Sequence, residues 1–246
     1  MNVVAYGGGR DSTAMLIECV KRNIKIDLIL FADTGGEKPH TYEYIEKFSK
    51  WLTHNGMPEI IIVRKAGNCE TLEENCLRMN MLPSIAYGFK SCSLKYKVQP
   101  QDKFCNNYQP CRDVWESGEK VIKFIGYDAS EDRRATIKED KKYDYYYPLI
   151  DWDIDREECG EIIKSAGLCI PDKSACYFCP SSRISEIKAL KAKYPDLAER
   201  AIRMEENAEL TSIAGLGRSF SWKNVLSTDD MFEDNYIDID CGCYDG

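Results

Sequence analysis

The chain has 246 residues, 43% of them hydrophobic and 30% charged, with a net charge of −8. Such a length buries one substantial core, alone or with a small appendage, and the balance is that of a folded globular protein rather than a disordered one. The acidity argues against a surface built for a long polyanion; no apolar run reaches the length of a membrane span, and the N-terminus starts on a strand instead of a signal peptide, so cytoplasmic residence is expected. Twelve cysteines stand beside only two histidines. In a cytosolic chain these thiols read as metal ligands or redox groups before disulfides, and histidine-based catalytic triads are disfavoured.

In chain order, residues 3–6 predict a short strand and residues 12–22 the helix after it. Residues 27–32 (Asp-Leu-Ile-Leu-Phe-Ala) form a continuous apolar run of the buried parallel type, followed by a helix over 41–54 with Tyr44, Ile45, Phe48, Trp51 and Leu52 at helical spacing. Residues 59–63 and 121–126 supply two more strands, and 71–119 between them has helical and loop character. Residues 143–147 are an aromatic stretch leading into Pro148-Leu149-Ile150-Asp151-Trp152, and helices are predicted over 155–166, 182–193 and 196–209, before an acidic tail. The β-α-β-α-β rhythm implies an α/β fold with a parallel sheet and a ligand site at the strand C-terminal ends. The simplest division is a nucleotide-binding α/β domain over 1–168 and a helical, cysteine-containing extension over 169–246, packed together as one unit.

The first strand runs from Tyr6 into Gly7-Gly8-Gly9-Arg10-Asp11-Ser12-Thr13. Glycines let the backbone turn sharply, and Ser12 or Thr13 can cap a helix whose free N–H groups favour an anion. The pattern is neither a Walker loop nor a Rossmann fingerprint. It resembles the PP-loop, Ser-Gly-Gly-x-Asp-Ser, of the adenine-nucleotide alpha-hydrolase superfamily, with Gly7 at the usual serine and Arg10 at the variable position. That resemblance implies a five-stranded Rossmann-like sheet and a nucleotide held by residues 6–13, with Asp11 at the reacting end.

The second strand delivers Phe31-Ala32-Asp33-Thr34-Gly35-Gly36 beside that loop. Asp33 offers a ligand for Mg2+ or a ribose hydroxyl; the bland alternative is a polar loop capping the next helix. The segment resembles the Asp-Thr-Gly of phosphoadenosine phosphosulfate (PAPS) reductases, which implies nucleotide contacts from Phe31, Asp33 and Thr34. Ser91-Cys92-Ser93-Leu94-Lys95-Tyr96-Lys97-Val98-Gln99-Pro100 is similar to the Cys-Cys-x-x-x-Lys-x-x-Pro of iron–sulfur sulfonucleotide reductases, with Ser93 in place of the second cysteine. Cys176-Tyr177-Phe178-Cys179-Pro180 matches their later Cys-x-x-Cys. Two thiolates at that spacing reach one metal centre. The set implies a [4Fe-4S] cluster on Cys92, Cys176 and Cys179, either with one iron open, as in PP-loop tRNA thiolases, or with a fourth ligand from Cys169, Cys241 or Cys243. Structural zinc is the alternative. Cys19, Cys69, Cys76 and Cys159 have no partner pattern and read as small buried hydrophobes.

Gly126-Tyr127-Asp128-Ala129-Ser130-Glu131-Asp132-Arg133-Arg134 resembles a Gly-x-x-x-x-Glu-x-x-Arg segment of the same superfamily, in which Arg133 and Arg134 bind phosphate or sulfate. The tail Asp240-Cys241-Gly242-Cys243 loosely resembles the Glu-Cys-Gly of PAPS reductases, which makes Cys241 a candidate nucleophile.

In texture the chain looks like phage PAPS-reductase-like proteins and is similar to DNA phosphorothioation enzymes. The function this implies is an ATP pyrophosphatase using ATP, Mg2+ and an iron–sulfur cluster to adenylate and thiolate a nucleic acid or nucleobase, with a separate sulfur donor. Lys97 would join Asp11, Asp33 and Arg133 in the chemistry. The alternatives are a PAPS or APS reductase acting through Cys241 and a non-catalytic nucleotide-binding protein with structural zinc. Leu190, Tyr194 and Leu197 offer a homodimer face or internal packing.

Overall fold

The computed structural model describes residues 1–65, 70–135 and 140–227. A five-stranded, all-parallel sheet runs in the order β3-β2-β1-β4-β5, built from β1 (Asn2–Tyr6), β2 (Leu28–Asp33), β3 (Ile60–Arg64), β4 (Val121–Ile125) and β5 (Tyr143–Tyr146). The fifth strand is the aromatic stretch before Pro148. The helices are α1 (Arg10–Lys21), α2 (Pro39–His54), α3 (Leu72–Arg78), α4 (Ser91–Ser93), α5 (Gln99–Asn107), α6 (Gln109–Glu116), α7 (Pro148–Asp151), α8 (Arg156–Ser165), α9 (Ile184–Lys193), α10 (Pro195–Asn207) and α11 (Trp222–Ser227).

The alternation of strand side chains sorts the core into two layers. Val4, Tyr6, Ile29 and Phe31 pack with Met15, Phe48 and Ile163 on one face, while Val3, Leu28 and Leu30 pack with Cys105, Cys111 and Tyr143 on the other. Both faces are covered, which is why β2 is buried at every position and reads as an unbroken apolar run. Trp152 packs against the first layer, with the Arg22 guanidinium 4.3 Å from its ring centroid.

A third core joins segments far apart in sequence: Leu72, Cys76, Leu82 and Tyr96 meet Tyr177, Phe178, Leu190, Met204 and Trp222. The C-terminal helices therefore pack on the stretch between β3 and β4 as well as on one another. Leu190 is buried there and Tyr194 and Leu197 pack against it, so all three face their own chain. Helix starts follow local chemistry: α10 opens on Pro195, whose missing N–H costs nothing at a first helical position, and Asp155 caps α8.

Glu205 anchors this part of the fold. Its buried carboxylate accepts from the backbone N–H groups of Leu216 (2.7 Å), Trp222 (2.9 Å) and Lys223 (3.1 Å) and from the Ser221 hydroxyl. Glu205→Ala strands those donors, and we expect it to lower the unfolding free energy by about 2–4 kcal/mol, read as a lower urea midpoint at unchanged slope.

Candidate functional site

The strand order reverses between β1 and β4, and a crevice at the carboxyl ends of such neighbours is where open α/β sheets hold ligands. The glycine loop fills one side of that crevice. Gly8 has φ +79°, a backbone that L side chains rarely adopt, and a Cβ there would lie 3.2 Å from the Phe31 ring and from Ser174 Oγ. The Ser12 and Thr13 hydroxyls do not cap α1. The helix starts earlier, with Gly9 as its cap, and both hydroxyls donate back to the Gly9 carbonyl at 3.3 and 2.7 Å. From the third and fourth helical positions a short hydroxyl reaches the preceding turn, not its own N-terminus. Thr13 Oγ1 also meets the Tyr6 hydroxyl at 3.0 Å. The first-turn N–H groups from Arg10 onward face the loop, where the helix dipole favours an anion.

Gly126, at the end of β4, sets how closely that helix approaches. A Cβ there would stand 2.6 Å from Ser12 Cα and 2.8 Å from its backbone nitrogen. Gly126→Ala therefore pushes α1 back; overpacking of this kind costs ~1–3 kcal/mol, and we expect ATP affinity to fall about tenfold by calorimetry.

The second glycine turn follows β2. Asp33 is buried, and its Oδ1 accepts from Gly35 N (2.7 Å) and the Tyr42 hydroxyl (2.8 Å). Its Oδ2 accepts from Arg64 Nε and Nη2 at 2.9 and 2.7 Å. A carboxylate so engaged has little left for a cation or a ribose, and its place is that of a loop-former. Thr34 Oγ1 accepts from Gly36 N at 3.1 Å and lies 3.1 Å from the Cys176 sulfur.

Residues 174–179 of the C-terminal part lie across both turns. Ser174 Oγ donates to the Gly7 carbonyl (2.7 Å), Glu37 and Cys176 form an isolated antiparallel bridge, and Tyr177 N donates to the Gly36 carbonyl (2.8 Å). The Cys-x-x-Cys closes as a turn with Cys179 N on the Cys176 carbonyl (3.0 Å). Cys92, Cys176 and Cys179 line one cavity of about 40 Å³ together with Thr34, Ser93 and Lys97. Lys97 comes from a π-helical turn, Leu94–Val98, and its buried ammonium is 3.9 Å from Glu37 Oε1. Burial and then Glu37 push the Cys176 thiol well above its ordinary range, and Lys97 opposes the rise.

Of the remaining cysteines, Cys169 is exposed and does not line this cavity. Cys241 and Cys243 lie outside the described residues, as does Cys69. Cys19 and Cys159 are buried in the first core layer, Cys159 beside the Asp11 carboxylate. Cys76 is also buried, and its thiol is pushed up to about 12 by burial first and by Cys92 beside it second. That neighbour was invisible in the sequence, where Cys76 sits 16 positions from Cys92 without a motif.

Across the crevice stands a cluster that motif spacing did not reveal. Ligand oxygens of Asp11, Asp128 and Glu131 lie within 4.8 Å of one another, the one such group of His, Cys, Asp and Glu among the described residues. Asp11 is fully buried and its Oδ1 makes no hydrogen bond there; the neighbouring Cys159 thiol is a weak donor. Glu131 Oε2 is likewise buried without a hydrogen bond, while its Oε1 pairs with Arg134. Asp128 Oδ1 accepts from Ser130 N at 2.8 Å, which fixes the turn after β4. Burial pushes the Asp11 carboxyl up to about 6; Arg156 opposes this, and Asp128 and Glu131 add to it. Three clustered carboxylates, two of them with a buried oxygen lacking a hydrogen bond, are a donor set that could hold a hard divalent cation. Arg134 stacks over the Tyr127 ring at 4.3 Å, whereas Arg133 is exposed.

A parallel sheet with two glycine turns at adjacent strand ends, an open helix N-terminus and a carboxylate cluster at the switch point defines a nucleotide-binding α/β protein. Residues 1–156, well over half the chain, match the phosphoadenosine phosphosulfate reductase domain, and the chain belongs to that family. The family is one of PP-loop and sulfonucleotide-reductase enzymes. The chain is also 26% identical over 214 residues to a Methanocaldococcus jannaschii protein described as "Uncharacterized protein MJ0066". The match covers 80% of this chain and 40% of that relative. No helix among the described residues is long and apolar enough to cross a membrane.

Proposed function

We propose that the protein is an ATP pyrophosphatase that adenylates an oxygen of a nucleic acid or nucleobase and prepares it for replacement by sulfur. The observation that carries this reading is the 3.1 Å contact between Cys176 Sγ and Thr34 Oγ1, which puts the thiol cavity against a nucleotide turn. An acceptor oxygen attacks the α-phosphorus of ATP, the α–β bridging bond breaks and pyrophosphate leaves. AMP then departs from the acceptor as sulfur arrives. Adenylation matters because a carbonyl or phosphate oxygen leaves poorly and AMP leaves well.

Residues 7–13 hold the phosphates, with Gly126 behind them and Tyr6, Phe31 and Thr34 shaping the nucleotide bed. Asp11, Asp128 and Glu131 would hold Mg2+, which would supply positive charge beside the leaving pyrophosphate. Arg134 and the exposed Arg133 stabilise phosphate charge; Lys97 holds negative charge at the thiol cavity. The cavity lining offers three thiols and neither histidine nor carboxylate, a soft donor set. Such a set suits an iron–sulfur cluster, with zinc, which prefers a closed four-ligand site, as the alternative. When bound, such a cluster supplies a soft-metal centre able to handle sulfide.

The family match favours one second reading, a sulfonucleotide reductase; Cys241 is then the candidate nucleophile. Anaerobic purification, with iron, acid-labile sulfide and zinc measured per chain and ATP-dependent pyrophosphate release assayed, separates the two. About four irons and four sulfides with pyrophosphate release supports the first. Reduction of a sulfonucleotide that Cys241→Ser abolishes, without pyrophosphate release from ATP, establishes the second. One zinc and no iron overturns the cluster.

A further inference from the structure

Arg156 opens α8, and the start of that helix is fixed by its cap. Asp155 Oδ1 accepts from the N–H groups of Glu157 (2.8 Å) and Glu158 (2.9 Å), and the Glu158 carboxylate returns a bond to Asp155 N (2.9 Å). This reciprocal arrangement sets where the Arg156 guanidinium emerges. Its Nη1 lies 3.0 Å from Asp11 Oδ2, and Arg10 Nη1 donates to the Arg156 carbonyl at 3.4 Å. The Asp11 side chain is 0% exposed and that of Arg156 is 51% exposed. The guanidinium thus reaches from solvent onto the most deeply buried acid of the Asp11–Asp128–Glu131 cluster, and leaves Asp11 Oδ1 and Glu131 Oε2 without hydrogen bonds.

Three clustered acids cannot all stay ionised in a buried site without positive charge close by. Arg134 supplies positive charge through Glu131, and Arg156 supplies it directly to Asp11, with a smaller contribution from Arg10. A divalent cation entering the same cluster meets the Arg156 charge directly. A triphosphate changes that balance, because it brings new negative charge to the mouth of the loop, within the sweep of a long, half-exposed arginine.

We propose that Arg156 stands in for the divalent cation while the nucleotide is absent, and shifts from Asp11 to the phosphates when nucleotide and cation enter together. The cation then binds with the nucleotide and not before it. This rests on the assignment of Asp11, Asp128 and Glu131 as cation ligands. Arg156 is on this view a positioning residue for the metal–nucleotide complex.

The test is Mn2+ binding, read by the loss of its free-ion electron paramagnetic resonance signal, with and without a non-hydrolysable ATP analogue. Without nucleotide, Arg156→Gln is expected to bind Mn2+ at least about tenfold more tightly than the wild type, while Arg156→Lys, which keeps the charge, stays close to wild type. With the analogue, the Gln variant is expected to lose about tenfold in nucleotide affinity. Thermal melts of all three report folding. If Arg156→Gln binds Mn2+ without nucleotide no more tightly than wild type, Arg156 is not the stand-in. Asp11→Asn is the control for the underlying assignment: if it leaves Mn2+ binding in the presence of the analogue unchanged, the carboxylate site itself fails, whatever Arg156 does.

Discussion

Asp11→Asn is expected to lower the rate of ATP-dependent pyrophosphate release by about 10²–10³-fold, the cost of removing one preorganised charge from a phosphoryl-transfer site. The side chain is fully buried, its Oδ1 has no hydrogen bond among the described residues, and it faces two further acids. Asparagine has nearly the same shape, so the loop keeps its geometry and only the charge at the cation site changes. Stability should not fall with activity. Burial raises the Asp11 carboxyl to about 6, so ionising it above that pH already costs the folded state. The neutral asparagine removes that cost, and melting temperature at pH 8 should be no lower than wild type. Pyrophosphate release and a thermal melt on one preparation check both halves. A fall in both together would mean that Asp11 is structural.

Cys176→Ala is expected to remove essentially all bound iron while ATP binding stays within about twofold of wild type. Cys176 belongs to the thiol cavity by its side chain but to the nucleotide turns by its backbone, through the Glu37 bridge and the Tyr177–Gly36 bond beside it. Alanine keeps the backbone role and deletes the proposed ligand. Iron and sulfide analysis with the visible spectrum reads the first effect, and calorimetry with ATP the second. Cys169→Ala, at an exposed position outside the cavity, should change neither. Iron retained in Cys176→Ala would take the metal away from this cavity.

β1, β2 and β4 were legible because they lie largely buried on both faces and so read as compact apolar runs, and the half-exposed edge strand β3 because residues 60–63 are equally apolar. Residues 143–147 are the exception: four tyrosines and one aspartate give no aliphatic run, and only the pairing of Tyr143–Tyr146 with β4 makes them a strand. The stretch 71–119 was legible only as helix and loop, because Leu72, Cys76, Leu82, Ala86 and Tyr96 pack against residues from Cys176 onward, partners no local window contains. Helix ends moved by a few residues where a cap decided the matter, as when Gly9 took the place expected of Ser12 and Thr13.

By itself the sequence determined four of the five strands, the two glycine turns and the Cys-x-x-Cys, since each is local: a strand covered on both faces reads as one apolar run, glycine is required where φ is positive or a neighbour comes too close, and two thiols three apart share a turn. The tertiary structure decided which acids meet. Asp33, the more prominent by motif, is taken up by Arg64, Tyr42 and its own turn. Asp128, Glu131 and Arg156, which no short spacing links to Asp11, converge on it because β4 lies beside β1 and α8 packs along α1. Charges separated by more than a hundred residues share a site only when the sheet order brings their loops together, and that order is a property of the whole fold.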